Sequence, residues 1–156
     1  MAIEQVREYL KQFSADDKIR EFDVSSATVE LAAAALGVDG ARIAKTLALS
    51  TKEGYIVIVM AGDVKIDNAK YKAVFGQKAK MLSPEEALTA TGHAVGGVCP
   101  FALPESTRAY LDESLRRFET VFPACGNANS AIELSPAALE QYVGNCSWVD
   151  VSKPRE

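Results

Sequence analysis

The segment GHAVGGVCPF, residues 92–101, is the part of the sequence whose residue types best suit chemistry. It places three glycines and a proline in a run of small apolar residues. Glycine lets backbone N–H groups approach a ligand closely, and paired N–H donors can stabilise an oxyanion. Taken alone, the segment fits a tight turn between a helix and a buried strand at least as well. Its spacing matches neither GxGxxG nor GxxxxGK[ST], which excludes a dinucleotide-binding or P-loop motif.

Lys45 is a second candidate, because it lies in the apolar run IAKTLAL. Strand alternation would place its side chain on the same face as Ile43 and Leu47. A lysine on an apolar face costs free energy unless its ammonium reaches water, a phosphate or a carboxylate. The residue therefore either belongs to a binding site or extends its ammonium to solvent at the end of a strand.

His93 is the only histidine and precedes Cys99 by six residues, so a thiolate nucleophile with a histidine base has to be considered. A cysteine in a tight apolar loop is more often an inert packing residue. A metal site is disfavoured, because His93 and the three cysteines Cys99, Cys125 and Cys146 show no usual ligand spacing. We predict that the protein uses neither a metal nor a cofactor, and that its thiols are reduced.

A second loop of small residues, FPACGNAN at 122–129, precedes the apolar run AIEL. Glycine and asparagine tolerate left-handed backbone conformations, so the loop is either a plain turn or part of a substrate-lining wall. Three further polar residues, Ser130, Glu133 and Asp112, have no spacing typical of an acid–base pair. We interpret them as turn or surface residues.

The elements that position these loops are predicted from hydrophobic periodicity, caps and turn residues. Predicted helices cover 3–13, the TVELAAAALG run capped by Ser25 or Ser26, 67–75, 83–92 after a Ser-Pro start, and SPAALEQYVG. Predicted strands are IAKTLALS and YIVIVMAG joined by a turn at TKEG, then 78–82, 108–112, 120–122 and 131–134, with SWVDVS as a last strand or packed tail. The sum is an α+β or α/β domain with a mixed sheet of about six or seven strands and about five helices, whose strand order the pattern does not give.

Composition is that of one globular domain over residues 1–156, with 48% hydrophobic and 24% charged residues. The net charge of −4 argues against a protein that coats nucleic acid. Residues 65–80 nevertheless carry five lysines and one aspartate, a local charge of +4, and the rest of the chain has a charge of −8. No apolar run approaches the roughly 20 residues of a membrane helix, and the start is amphipathic and unlike a secretion signal. We expect a cytoplasmic protein with no membrane contact.

Four segments in this order, IAKTLAL, VIVMAGD, TGHAVGGVCPF and FPACGNANSAIELSP, resemble the YbaK family, which includes the editing insertion of bacterial prolyl-tRNA synthetases. The resemblance covers residues 20–145. It implies a compact editing-domain fold and hydrolysis of mischarged aminoacyl-tRNA, with the 3′ acceptor end held in a cleft and a synthetase as a further partner. The family's substrates imply a small amino acid, alanine, cysteine, serine or threonine, on tRNA(Pro) or a related tRNA.

The family's lysine matches Lys45, its GxxxP loop matches residues 96–100, and its second loop matches 125–129, where Cys125 and Gly126 replace two glycines. The implied catalytic residues are Lys45, Gly96, Gly97 and Val98. The predicted substrate-binding residues are Thr46, His93, Cys99, Pro100, Cys125, Gly126, Asn127 and Asn129, of which His93 stands where the family varies and takes no role from the resemblance. In this hypothesis Lys45 anchors a phosphate or the terminal ribose, backbone N–H groups polarise the ester carbonyl, and water attacks. A binding module that has lost turnover, or an unrelated small-molecule hydrolase, remains the alternative.

Overall fold

A hairpin of two long strands forms the centre of the protein, which is described by a computed structural model over residues 2–155. The strands are β1 (Arg20–Glu21), β2 (Ile43–Thr51), β3 (Gly54–Ala61), β4 (Val64–Ile66), β5 (Arg108–Asp112), β6 (Phe122–Pro123), β7 (Ser130–Ala131), β8 (Cys146–Val149) and β9 (Ser152–Pro154). The helices are α1 (Ala2–Leu10), α2 (Val29–Leu36), α3 (Asn68–Phe75), α4 (Pro84–Thr91) and α5 (Pro136–Val143). The predicted hairpin is confirmed, with Thr51 opposite Gly54 at the turn.

The main sheet is mixed and has the order β6-β2-β3-β5-β8. Only the β2–β3 pair is antiparallel, whereas the other three neighbouring pairs are parallel. Two separate ribbons, β1 with β7 and β4 with β9, complete the strand pairing of the described residues. The predicted α+β class with a mixed sheet is therefore confirmed, but the main sheet has five strands and not the predicted six or seven, because the remaining strands pair in the two separate ribbons. The parallel crossovers explain why the order was not readable from the sequence, because each partner is distant along the chain.

Side-chain caps fix where four of the helices begin. Ser83 and Glu86 form a capping box at α4, with the Ser83 hydroxyl accepting from the Glu86 N–H and the Glu86 carboxylate accepting in return. Asp67 and Ser135 cap α3 and α5 as their positions predicted. Each such cap stabilises a helix by about 1 kcal/mol. The predicted cap of α2 is wrong: Thr28, not Ser25 or Ser26, accepts from the Leu31 N–H.

The short strands differ most from the prediction. The 78–82 segment contributes one bridge, between Leu49 and Met81, and the 131–134 run forms only the two-residue β7 followed by a bridge from Leu134 to Val121. Strands β4 and β9 were not predicted, because three residues show too few alternations to reveal a period. The SWVDVS segment divides between two strands: its first three residues lie in the edge strand β8, and Ser152 begins β9.

The core lies on both faces of β3, where every residue from Ile56 to Ala61 is at most 3% exposed. The apolar stripe of α1 packs on one side through Val6 and Leu10. A smaller cluster joins α2 to β2 and β6 through Ala32, Ile43 and Phe122. No helix of the described residues is both long and apolar enough to cross a bilayer. The second cluster matters for function, because it forms the floor of a cavity.

Candidate functional site

A cavity of about 240 Å³ opens between the outer edge of β2, the start of α2 and the loop 95–98. Residues of its wall that carry the argument below are Lys45, Thr46, Val95, Gly96, Val98 and Ser130. Its floor is the apolar cluster of Ala32, Ile43, Phe122 and Ala131. The volume lies just below the roughly 300–1,000 Å³ of pockets for drug-sized ligands, so a small group fits it best.

The cavity exists because the outer edge of β2 is covered at only two places. Strand β6 pairs with its first two residues, and the Leu82 N–H donates to the Ala48 C=O at 3.0 Å further along. Residues 45–47 lie between these contacts. Alternate residues of a strand direct their main-chain groups to the same edge, so Thr46, two positions before Ala48, turns its own N–H and C=O toward the gap. A gap in the sheet thus presents backbone polar groups to a ligand.

Lys45 lines this cavity from within β2 and is half-buried. Its ammonium donates to the Val64 C=O, which holds the side chain in place. Burial, and then the nearby guanidinium of Arg155, lowers the pKa of Lys45 below its usual value, whereas Asp63 acts in the opposite direction. Asp63 itself is held by Arg117 at 2.6 and 3.0 Å. The lysine is therefore a held cation beside an apolar pocket, without a carboxylate in direct contact among the described residues.

The loop beside the lysine contains a tight turn from Ala94 to Gly97. Gly96 has φ of +94°, the left-handed value that the third turn position requires, and the Gly97 N–H donates to the Ala94 C=O at 3.0 Å. Within residues 2–155 the N–H groups of Gly96 and Val98 have no such acceptor. This corrects one expectation: the Gly97 N–H is occupied by the turn, and the available donors are those of Gly96 and Val98.

Gly97 has a different role, which is to let two loops touch. A Cβ at this position would lie 2.5 Å from the Asn127 Cα and 2.7 Å from the Gly126 carbonyl carbon, closer than any side chain tolerates. Asn129 fastens the same second loop to the chain before α2, because its amide donates to the Phe22 C=O at 2.9 Å. The second loop therefore packs against the first, and its Ala124, together with Ser130 at the start of β7, lines the cavity.

His93 and Cys99 lie outside the cavity lining and are fully buried. The His93 Nε2 is 2.8 Å from the Phe101 C=O, which fixes the proton on that nitrogen. The Cys99 Sγ is 3.4 Å from the same nitrogen, which consequently cannot accept the thiol proton. Burial raises the pKa of Cys99 to about 12 and lowers that of His93. The pair is a structural contact and not a nucleophile with its base.

The predicted site residues therefore divide into two groups. Those that line the cavity are Lys45, Thr46, Gly96 and Val98. Those that are not among its lining residues are Gly97, Pro100, His93, Cys99, Cys125, Gly126, Asn127 and Asn129. For this second group a direct substrate contact stays a prediction. Across the described residues, no group of three or more His, Cys, Asp or Glu side chains is placed to hold a metal ion.

Within residues 2–155, two residues of the wall carry unpartnered hydroxyls: Thr46, which was predicted to bind substrate, and Ser130, which was not. The Thr46 Oγ1 and Ser130 Oγ are buried and have no hydrogen-bond partner in the part of the chain described here. Ser130 is 1% exposed, so its interpretation as a turn or surface residue is wrong. Asp112 is also buried: it accepts from Ser114, Val151 and Ser152 and joins β5 to the C-terminal segment. Serine in a polar loop gives no sequence signal for such burial.

The sequence of this chain matches a known protein family. The sequence model of the aminoacyl-tRNA editing domain matches residues 23–142. The uncharacterized protein YwhH of Bacillus subtilis is 50% identical over all of both chains. EbsC of Enterococcus faecalis, named as a candidate Cys-tRNA(Pro)/Cys-tRNA(Cys) deacylase, is 31% identical over 72% of this chain and 70% of its own.

Solved structures agree with the sequence relatives. A candidate trans-editing enzyme for prolyl tRNA synthetase superposes with a TM-score of 0.87 at 26% identity, covering 97% of both chains. The matched region contains β2, the start of α2 and the turn at Gly96, which line the cavity, and the second loop that packs against that turn. The chain belongs to the aminoacyl-tRNA editing domain family.

Proposed function

We propose that the protein hydrolyses the ester bond of tRNA charged with a wrong small amino acid, with the 3′ acceptor end bound in the cavity. The observation that carries this proposal is that one small cavity is lined by Lys45 and by Gly96 and Val98, whose N–H groups have no acceptor within residues 2–155. A cation suits the phosphate or ribose of the terminal nucleotide. Two backbone donors suit the developing oxyanion of an ester.

Lys45 anchors the nucleotide end of the substrate. Its ammonium has three donors, of which one is engaged by the Val64 C=O and the others have no acceptor within residues 2–155. A phosphate or ribose oxygen at the mouth of the cavity provides those acceptors. The contact also compensates for the partial desolvation that lowers the pKa of this lysine.

Water is the nucleophile, because among the described residues no Cys lines the cavity as a nucleophile and no His, Asp or Glu lines it to activate a wall hydroxyl. The Cys99 thiol stays protonated near neutral pH and lies behind the loop. An aminoacyl ester is already activated, and a ribose hydroxyl next to it can assist the water. The protein then supplies position and oxyanion stabilisation through Gly96 and Val98, which together can lower a barrier by several kcal/mol.

The substrate class follows from the family and from pocket size. A cavity of about 240 Å³ suits alanine, cysteine, serine or threonine. The name of EbsC and the description of the trans-editing structure favour tRNA(Pro) as the carrier and a prolyl-tRNA synthetase as the partner whose errors are corrected. Such a role places the protein in the cytoplasm and needs neither metal nor cofactor.

The test is deacylation of tRNA(Pro) and tRNA(Ala) carrying labelled alanine, cysteine, serine, threonine or proline. We expect one or more mischarged esters to be hydrolysed and Pro-tRNA(Pro) to be spared. Lys45→Ala should lower kcat/KM by about 100-fold, since it removes an anchor that positions the ester. Lys72→Ala, an exposed lysine outside the cavity, is the matched control and should match wild type. A folded wild-type protein that hydrolyses none of these esters would refute the proposal.

A further inference from the structure

We infer that Thr46 and Ser130 select the amino acid by hydrogen bonding a hydroxyl on its side chain, which makes seryl- and threonyl-tRNA the preferred substrates over alanyl-tRNA. The inference rests on the proposed function and names the substrate of the same site. It starts from two buried polar atoms that the fold itself leaves without partners. Thr46 lies on β2 and Ser130 on β7, at different parts of one cavity wall.

Buried polar atoms are almost always hydrogen-bonded in folded proteins, so each exception calls for an explanation. Among the described residues, four buried side-chain nitrogen or oxygen atoms have no hydrogen-bond partner: Thr46 Oγ1, Tyr71 Oη, His93 Nδ1 and Ser130 Oγ. Two of these four line the same cavity, and the other two do not. Both oxygens are covered by protein atoms. A rotation about χ1, which has three staggered wells, would turn each hydroxyl toward the cavity that its residue lines, and the missing partner is then a ligand.

The rest of the wall indicates what kind of ligand group this is. Around the hydroxyls the floor is apolar, formed by Ala32, Ile43 and Phe122. No Asp or Glu side chain lines the cavity, so the α-ammonium of the amino acid would lack a counter-charge there. Burying a charge without a partner is costly, whereas a neutral hydroxyl can both donate a hydrogen bond to another hydroxyl and accept one from it. A short side chain that combines carbon and one hydroxyl therefore matches the floor.

Alanine fits the same volume but leaves both wall hydroxyls unpaired. A site built to hydrogen-bond a substrate hydroxyl discriminates strongly against the analogue that lacks it, whereas an apolar pocket hardly distinguishes the two. Discrimination between serine and alanine thus reports directly on Thr46 and Ser130. Cysteine is an intermediate case, because a thiol is a weak donor and acceptor.

The first test compares kcat/KM for Ser-, Thr- and Ala-tRNA(Pro) in wild type, Thr46→Val and Ser130→Ala. We expect wild type to favour serine over alanine, and each variant to lower the serine-to-alanine ratio about ten-fold. Thr89→Val, which deletes an exposed hydroxyl on α4 outside the cavity, is the control and should keep the ratio of wild type. Variants that lower all rates equally, with the ratio unchanged, would overturn the inference and leave the proposed hydrolysis intact.

A binding measurement separates the inference from the chemistry. The probes are the stable amides 3′-seryl- and 3′-alanyl-amino-3′-deoxyadenosine, which present the amino acid without a hydrolysable ester. Wild type should bind the seryl amide about ten-fold more tightly, and Thr46→Val should abolish that preference. Selective binding without any deacylation would refute the proposed function and retain the hydroxyl site, whereas equal binding of the two amides would refute the site.

Discussion

At the scale of single residues, the Cys99 thiol offers a direct check on the mechanism. It is fully buried, its pKa is raised to about 12, and the neighbouring His93 nitrogen already donates to a carbonyl. Water-based hydrolysis does not use it, so Cys99→Ala should keep kcat/KM within about three-fold of wild type when equal amounts of folded protein are compared. Complete loss of activity with an unchanged circular dichroism spectrum would instead support a thiol nucleophile.

Single residues also show where sequence reasoning reached the site and where it stopped. Lys45 was identified because a cation in an apolar strand is costly, and it lines the cavity. Ser130 was missed, because a serine next to Asn129 looks the same whether its hydroxyl faces water or a closed pocket. Gly97 was predicted to offer its backbone N–H to the substrate. In the structure that N–H donates within a turn, and the missing side chain lets the two loops pack closely.

At the scale of elements, two loops depend on each other at one point. Gly97→Ala would place a methyl group 2.5 Å from the Asn127 Cα. The three nearest atoms all belong to the backbone, so the clash cannot be relieved by rotating a side chain. We expect the loops to separate, the cavity wall near Gly96 and Val98 to shift, and kcat/KM to fall by about 100-fold, since displacements of about 1 Å cost that much. Deacylation assays and urea unfolding together measure the effect.

The matched control for that variant is Gly40→Ala. Its added Cβ would meet only one side-chain atom, at an ordinary 3.4 Å, and Gly40 does not have a positive φ. The same change of residue type therefore tests the close approach alone. Equal activity of the two variants would show that the loop contact is not needed to shape the site.

Elements with strong local signals were predictable, and those made by long-range pairing were not. The α4 boundary followed from Ser83, Pro84 and Glu86, which interact within one turn. The hairpin of β2 and β3 followed from apolar runs around a short polar turn. The gap in the edge of β2 depends instead on β6, which comes about 70 residues later along the chain and pairs with only two residues. Local propensity carries no information about such a gap.

At the scale of the whole molecule, the charge distribution suggests how a protein of net charge −4 meets a polyanion. Three exposed lysines, Lys52, Lys78 and Lys80, line a groove of about 520 Å³, and none forms an ion pair among the described residues. Lys80 of the groove directly precedes Met81, which lines the cavity, so consecutive residues of the chain line the two features. Lys70, by contrast, is engaged by Asp150 at 3.1 Å. Lys65 and Lys72 are exposed as well but lie outside the groove. We propose that the groove lysines are the ones that contact the tRNA backbone.

If the groove guides the acceptor end into the cavity, charge reversal there must weaken binding more than the same reversal elsewhere. The double change Lys78→Glu with Lys80→Glu should raise the Kd for tRNA about ten-fold and lower the slope of log K against log salt by roughly one per lost phosphate contact. Lys65→Glu with Lys72→Glu alters the net charge by the same amount on exposed residues outside the groove and should have a smaller effect. A direct phosphate contact depends on which lysine pair is changed, whereas a screened long-range field does not distinguish one exposed pair from another. Equal effects of the two double changes on the Kd for tRNA would therefore mean that only net charge matters.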